Sequence, residues 1–224
     1  MSDEQATSAT DRASRRTIRL RWTAIGLAAV VAVALIAVSM SSASGYQTAD
    51  IGSQGTPADP VSVEGASLQR ARDGVRVRTE MPTPTPGSYE YPTPDMIPPG
   101  DPEHPELLVG GPETFTLWIM VFNYPDRCTD ACNADDLEPE SAAKGGVYQG
   151  DGRIADTDQM VLEGAVRVGQ EPVRGTALEN PLGAVVHVAI APHGKALDGE
   201  DLRRQLNGPI GNVGLWWGAE FPAP

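Results

Sequence analysis

The chain has 224 residues, 40% of them apolar and 5% aromatic, so one domain of ordinary size with a modest core is in reach. Glycine and proline together make up about a fifth of it (24 and 20 residues), which favours turns and linkers over long helices. Net charge is −13, and the first 44 residues hold five arginines against three acids, leaving 12 basic and 27 acidic residues, −15, on the remainder. Such a surface repels a phosphate backbone, so nucleic acid is excluded as a partner; solubility is the plain reading of the acidity.

Residues 1–22 read as a basic cytoplasmic leader. Residues 23–40, TAIGLAAVVAVALIAVSM, form an uncharged run of 18. As a helix it would extend roughly 27 Å, close to the hydrocarbon thickness of a bilayer. Arg12, Arg15, Arg16, Arg19 and Arg21 precede it, Trp22 stands at its start, and no basic residue follows before Arg70. That asymmetry predicts a cytoplasmic N-terminus and an exterior C-terminal part, with the membrane as partner through this helix. Two outcomes stay open: a retained single-pass anchor, or a signal cleaved after Ala43 or Ser44 to release a secreted protein. The Arg15–Arg16 pair also fits twin-arginine export.

Residues 41–62 are small and polar and predict a flexible spacer, with the β-domain running from 63 to 224. Around 75–80, Val75, Val77 and Thr79 alternate with Arg76, Arg78 and Glu80, the period of a half-buried strand. Residues 82–112 carry ten prolines and predict an extended insertion, because proline lacks the ladder donor and restricts its predecessor. TFTLWIMVF, 114–122, is apolar on both faces, so it predicts a central strand covered on both sides. Glycines and aspartates at 150–152 suggest a hairpin turn. Residues 159–169 alternate again, with Met160, Leu162, Val166 and Val168 inward. Residues 184–191 form a further apolar strand, and His193 falls in an expected Pro-His-Gly turn. A short helix is predicted from about Asp198 to Gly208, and VGLWWGAEF closes the chain as an edge strand. Short strands, turn-rich joints and no βαβ alternation predict an all-β domain, an antiparallel β-sandwich or Greek-key barrel.

Chemistry-bearing residues are few. Cys128 and Cys132 are the only cysteines and read as a disulfide in an oxidising compartment. As a metal site they would offer two soft ligands and need more from elsewhere. Asp126, Asp130, Asp135, Asp136, Asp151, Asp156 and Asp158 offer calcium-type oxygens, although aspartate also favours turns for backbone reasons. His187 shares a strand face with Val185 and Ala189; a packed imidazole is the default there. A copper or zinc site using His187 and His193 would need a third ligand such as His104. Trp216 and Trp217 point oppositely on a strand, so at most one could stack on a sugar. There is no G-x-S-x-G serine and no acid–histidine spacing of a triad, which leans away from an enzyme.

Trp118, Phe122, Asn123, Pro125, Cys128, Cys132 and Leu137, followed by His187, His193 and Gly194, resemble a block pattern in a family of exported bacterial β-domain proteins with no assigned activity. The likeness covers roughly residues 66–206. It implies an extracytoplasmic β-domain. That family often carries an acid where this chain has Val185 and a base near Ala191. The expectation is therefore an exported, membrane-tethered, non-enzymatic binding or structural module without a cofactor. Its alternative is an exported domain binding copper, zinc or calcium.

Overall fold

The computed structural model describes residues 45–53, 60–89, 109–207 and 216–224. The leader with its arginines, Trp22, the apolar run 23–40 and His104 lie outside these residues. Among the described residues no helix is long and apolar enough to cross a membrane.

The protein is built on antiparallel β-strands: β1 (Tyr46–Ser53), β2 (Ser62–Ala71), β3 (Gly74–Pro82), β4 (Glu113–Phe122), β5 (Gly145–Ala155), β6 (Gln159–Arg167), β7 (Arg174–Gly175), β8 (Val185–Lys195) and β9 (Trp217–Phe221), with one helix, α1 (Gly199–Asn207). They form a nine-stranded sheet in the order β6-β3-β2-β1-β9-β8-β4-β5-β7. The sheet curls into a half-barrel, and β1 makes the bend. Its first half pairs with β2, its register slips between Ala49 and Ile51, and its last residues pair with β9. A bulge adds local twist, which turns a strand from one layer into the next. Asp50 sits in this bulge and accepts the Glu64 backbone N–H at 2.7 Å.

Alternation decides what lies inside. Phe115, Leu117, Ile119 and Val121 of β4 meet Val186, Val188 and Ile190 of β8, Val75 and Val77 of β3, and Leu162 and Val166 of β6 in one core. Each such side chain contributes about 1.5–3 kcal/mol when fully buried. β4 lies between β5 and β8 and is buried on both faces, as its sequence predicts. On the outer face Trp118 packs with Ala189, Ala191 and Trp216. Helix α1 also covers this side: Thr116 Oγ1 donates to the Leu206 carbonyl at 3.0 Å, and a Cβ on Gly152 would meet Leu206 at 3.2 Å.

Five sequence expectations are corrected. Residues 46–53 are not spacer but β1, whose inward positions are Gln47, Ala49 and Ile51, a pattern too polar and small to signal a strand. Residues 150–152 are not a turn: β5 continues through them with a slip of register opposite Thr116–Trp118, and the chain reverses at 156–158. There the glycines let strands approach, since a Cβ on Gly164 of β6 would lie 2.9 Å from the Gly150 Cα. The strand containing Trp217 is not an edge, because β9 pairs with both β1 and β8. Val168 is exposed because β6 ends at Arg167. His193 lies not in a turn but within β8, at the slip of register opposite Thr114 and Phe115. The helix at 199–207 falls where expected. In the proline-rich stretch, Tyr89 folds back edge-on to Trp217 (5.1 Å between ring centroids) and donates to buried Glu113.

Candidate functional site: the outer face of β8 and the disulfide loop

Strand register places His187 of β8 opposite Met120 of β4 on one side and Glu220 of β9 on the other. Its ring packs against Phe122 with centroids 5.0 Å apart, and Nε2 lies 3.9 Å from Glu220 Oε2, beyond hydrogen-bond range. Only 7% of the residue is exposed. Burial pushes the imidazole below its ordinary pKa, and the Glu220 carboxylate opposes that shift without overcoming it.

His193 is wholly buried, and neither ring nitrogen has a hydrogen-bond partner among the described residues. Desolvation pulls its pKa down to about 4. Its backbone carbonyl is held by Gln205 Nε2 of α1 at 3.0 Å, and the same amide reaches the Lys195 carbonyl at 2.9 Å. The helix is thereby seated on the bulge. The buried indole nitrogens of Trp118 and Trp216 likewise have no partner among the described residues. Both rings are packed, so neither Trp216 nor Trp217 presents a face to solvent.

Beyond β4 the chain makes a 3-10 turn at Pro125–Arg127, and Cys128 and Cys132 form a disulfide with Cα atoms 5.2 Å apart. Cys132 packs against Phe122 and Leu137. Asn133 caps the next 3-10 turn, Ala134–Leu137. Its side chain accepts the Asp135 N–H at 2.8 Å, and Asp136 Oδ2 accepts the Asn133 N–H at 3.0 Å. Ser141 Oγ donates to Asp136 Oδ1 at 3.3 Å. The aspartates singled out for calcium thus serve local structure or face solvent. Asp136 is a buried cap. Asp151 accepts the Gly152 N–H and pairs with Arg153 at 2.9 Å. Asp126, Asp130, Asp135, Asp156 and Asp158 are exposed. Among the described residues, one group of three potential ligands lies within 4.8 Å: Cys128, Cys132 and Asp136. Neither histidine belongs to it, and the disulfide ties up both sulfurs.

Two anchors hold this face and were not read as such from the sequence. Asn123, at the end of β4, is fully buried. Its Nδ2 donates to the carbonyls of Lys144 (2.8 Å) and Ala177 (2.9 Å), while Oδ1 accepts from the N–H groups of Glu179 (2.7 Å) and Asn180 (3.1 Å). Every polar atom of that amide is satisfied. Arg70 on β2 is also buried, and among the described residues it has no carboxylate partner. It donates to the carbonyls of Pro181 (3.1 Å), Ala184 (2.7 Å) and Pro222 (3.1 Å). A basic residue in an alternating strand reads as solvent-facing, which is why it went unnoticed.

The arrangement keeps both imidazoles neutral and packed near pH 7. The chain matches no family model, no curated protein and no solved structure.

Proposed function

We propose that the chain is an exported β-domain, tethered to the cell membrane through residues 23–40, that acts as a non-enzymatic binding or structural module on the outside. The observation that carries this is the placement of five arginines before an uncharged run of 18 residues, with no basic residue after it until Arg70. The Cys128–Cys132 bond supports it, because such bonds persist in oxidising compartments. A non-catalytic role is supported by what the reactive groups already do. The imidazoles pack, the sulfurs are joined, and the buried aspartate caps a turn. We read the curled sheet as an antiparallel β-sandwich or a Greek-key barrel.

Fractionation tests the proposal. The expected result is full-length protein in the membrane fraction, with its C-terminal domain open to protease added to intact cells. Substituting Arg15, Arg16, Arg19 and Arg21 by glutamate should reverse or block that orientation. Intact protein in the cytosol with both thiols free would refute the proposal.

A further inference from the structure

We propose that reduction of the Cys128–Cys132 bond converts this loop into a zinc site whose protein ligands are Cys128 Sγ, Cys132 Sγ and the Asp136 carboxylate. This inference does not depend on the export proposed above.

The geometry is nearly set in the oxidised chain. Ligand atoms of all three residues lie within 4.8 Å of one another. In a tetrahedral zinc dithiolate, with Zn–S about 2.3 Å, the two sulfurs stand about 3.8 Å apart. The Cα atoms of the cysteines are 5.2 Å apart, so side-chain rotation alone can open the sulfurs to that distance. A zinc-bound carboxylate oxygen sits about 3.6 Å from each sulfur, inside the separation already present.

Asp136 is held for this task. Among the described residues its two oxygens each accept a single hydrogen bond, from the Asn133 N–H and the Ser141 hydroxyl, which leaves lone pairs on both. Partners of that kind orient a metal-binding carboxylate and limit the rotamer entropy lost on binding. Cys132 is seated against Phe122 and Leu137, while Cys128 is only half-buried, so solvent reaches the fourth position. Two thiolates with one carboxylate select a borderline-soft ion over calcium or magnesium.

The chemistry balances with a dithiol as reductant. It delivers two electrons and two protons, the S–S bond breaks, and the dithiol leaves as its own disulfide. Zinc then displaces the two thiol protons to solvent and binds the thiolates. The loop would carry zinc where dithiols keep it reduced.

The test uses the full chain, reduced with a phosphine and desalted without oxygen. Cobalt(II) is added as a spectroscopic probe and then displaced by zinc. The expected result is one ion per chain with thiolate-to-cobalt charge-transfer absorption, and no such absorption from the oxidised chain. Cys128→Ser should abolish the charge-transfer band of the paired thiolates. Asp136→Asn should weaken zinc at least about tenfold, while Asp135→Asn, one residue away and exposed, leaves it unchanged. Absence of the band from the reduced chain overturns the proposal, as does an Asp136→Asn protein that stays folded and binds zinc like the parent. Zinc-edge X-ray absorption on the unmutated chain keeps the test independent of variant folding. Two sulfur and two oxygen scatterers support the site; four sulfurs or imidazole scattering refute it.

Discussion

The guanidinium of Arg70 donates from Nε to Gln47 Oε1 at 2.8 Å, and Gln47 Nε2 in turn donates to the Pro222 carbonyl at 3.0 Å. Arg70 also reaches that carbonyl, so β1, β2 and the chain after β9 converge on one buried polar centre. Desolvation lowers the arginine's pKa to about 10, still well above any physiological pH, so the charge stays in place. Its hydrogen bonds to carbonyl oxygens therefore stand in for lost hydration. Arg70→Met removes the donors and leaves the Pro181, Ala184 and Pro222 carbonyls without them. The expected loss is about 3 kcal/mol or more, read from urea denaturation. Arg70→Lys should recover only part, because an ammonium cannot present the planar fork that reaches all of these oxygens. A loss below about 1 kcal/mol for Met would show that the centre is not structural.

Acid should loosen the outer face. His193 has a folded pKa of about 4 against 6.5 when unfolded, so its neutral form is the one that fits the buried site. For a depressed pKa, the full stability is present above pH 6.5 and is lost as pH falls toward 4. Over that window the loss for this one group is about 3 kcal/mol. His187 acts in the same direction. Carboxylates titrate in the same range, so the informative quantity is a difference. The stability of the parent minus that of His193→Leu should fall by about 3 kcal/mol between pH 7 and pH 4. Parallel pH profiles for the two proteins would place the imidazole somewhere better solvated than the bulge.

The strands that could be read in advance share one property: a period of two in mostly apolar side chains. β3, β4, β6 and β8 have it because their inward positions are mainly Val, Leu, Ile, Phe and Met, with Thr79 and Gly164 as breaks too short to hide the pattern. β1 lacks it because its inward row begins with Gln47, whose amide is satisfied only by groups far along the chain. The glycines of β5 have the chemistry of a turn, and only the close approach of β6 explains them. Of the candidate site, the disulfide was legible from cysteine count alone. That Asp136 stands beside it was not, because a 3-10 turn, not a periodic element, brings it there. Arg70 was hidden for the converse reason: strand alternation assigns faces, but it cannot say that an inward position will hold a charge.

The disulfide closes a loop of only five residues, with a sequence separation of four. Chain entropy at that length gives a stabilisation of about 2 kcal/mol at most. The capped turn at Asn133 and the packing of Cys132 on Phe122 and Leu137 remain when the bond is broken. Reduction with a phosphine in the presence of a chelator should therefore lower the urea midpoint by an amount matching about 2 kcal/mol or less, with an unchanged slope. Cys128→Ser/Cys132→Ser should lose somewhat more, since serine also forfeits apolar contact. A loss above about 4 kcal/mol on reduction alone would mean that the bond organises the β4–β5 connection as a whole.

β5 and β6 approach closely in the curl, and the contact runs through glycine. A Cβ on Gly164 would fall 2.7 Å from Ile119 Cδ1 and 2.9 Å from the Gly150 Cα. The side-chain methyl can swing aside; the backbone atom can yield only if the strands part. Gly164→Ala should therefore cost about 1–3 kcal/mol through overpacking. Gly52→Ala is the matched control, since its Cβ would meet nothing within 4 Å. It should change stability by no more than about 0.5 kcal/mol. Guanidinium unfolding of the two variants side by side checks the pair. If Gly164→Ala is as harmless as Gly52→Ala, the two layers are not in contact along this line, and the sheet is flatter than its register implies.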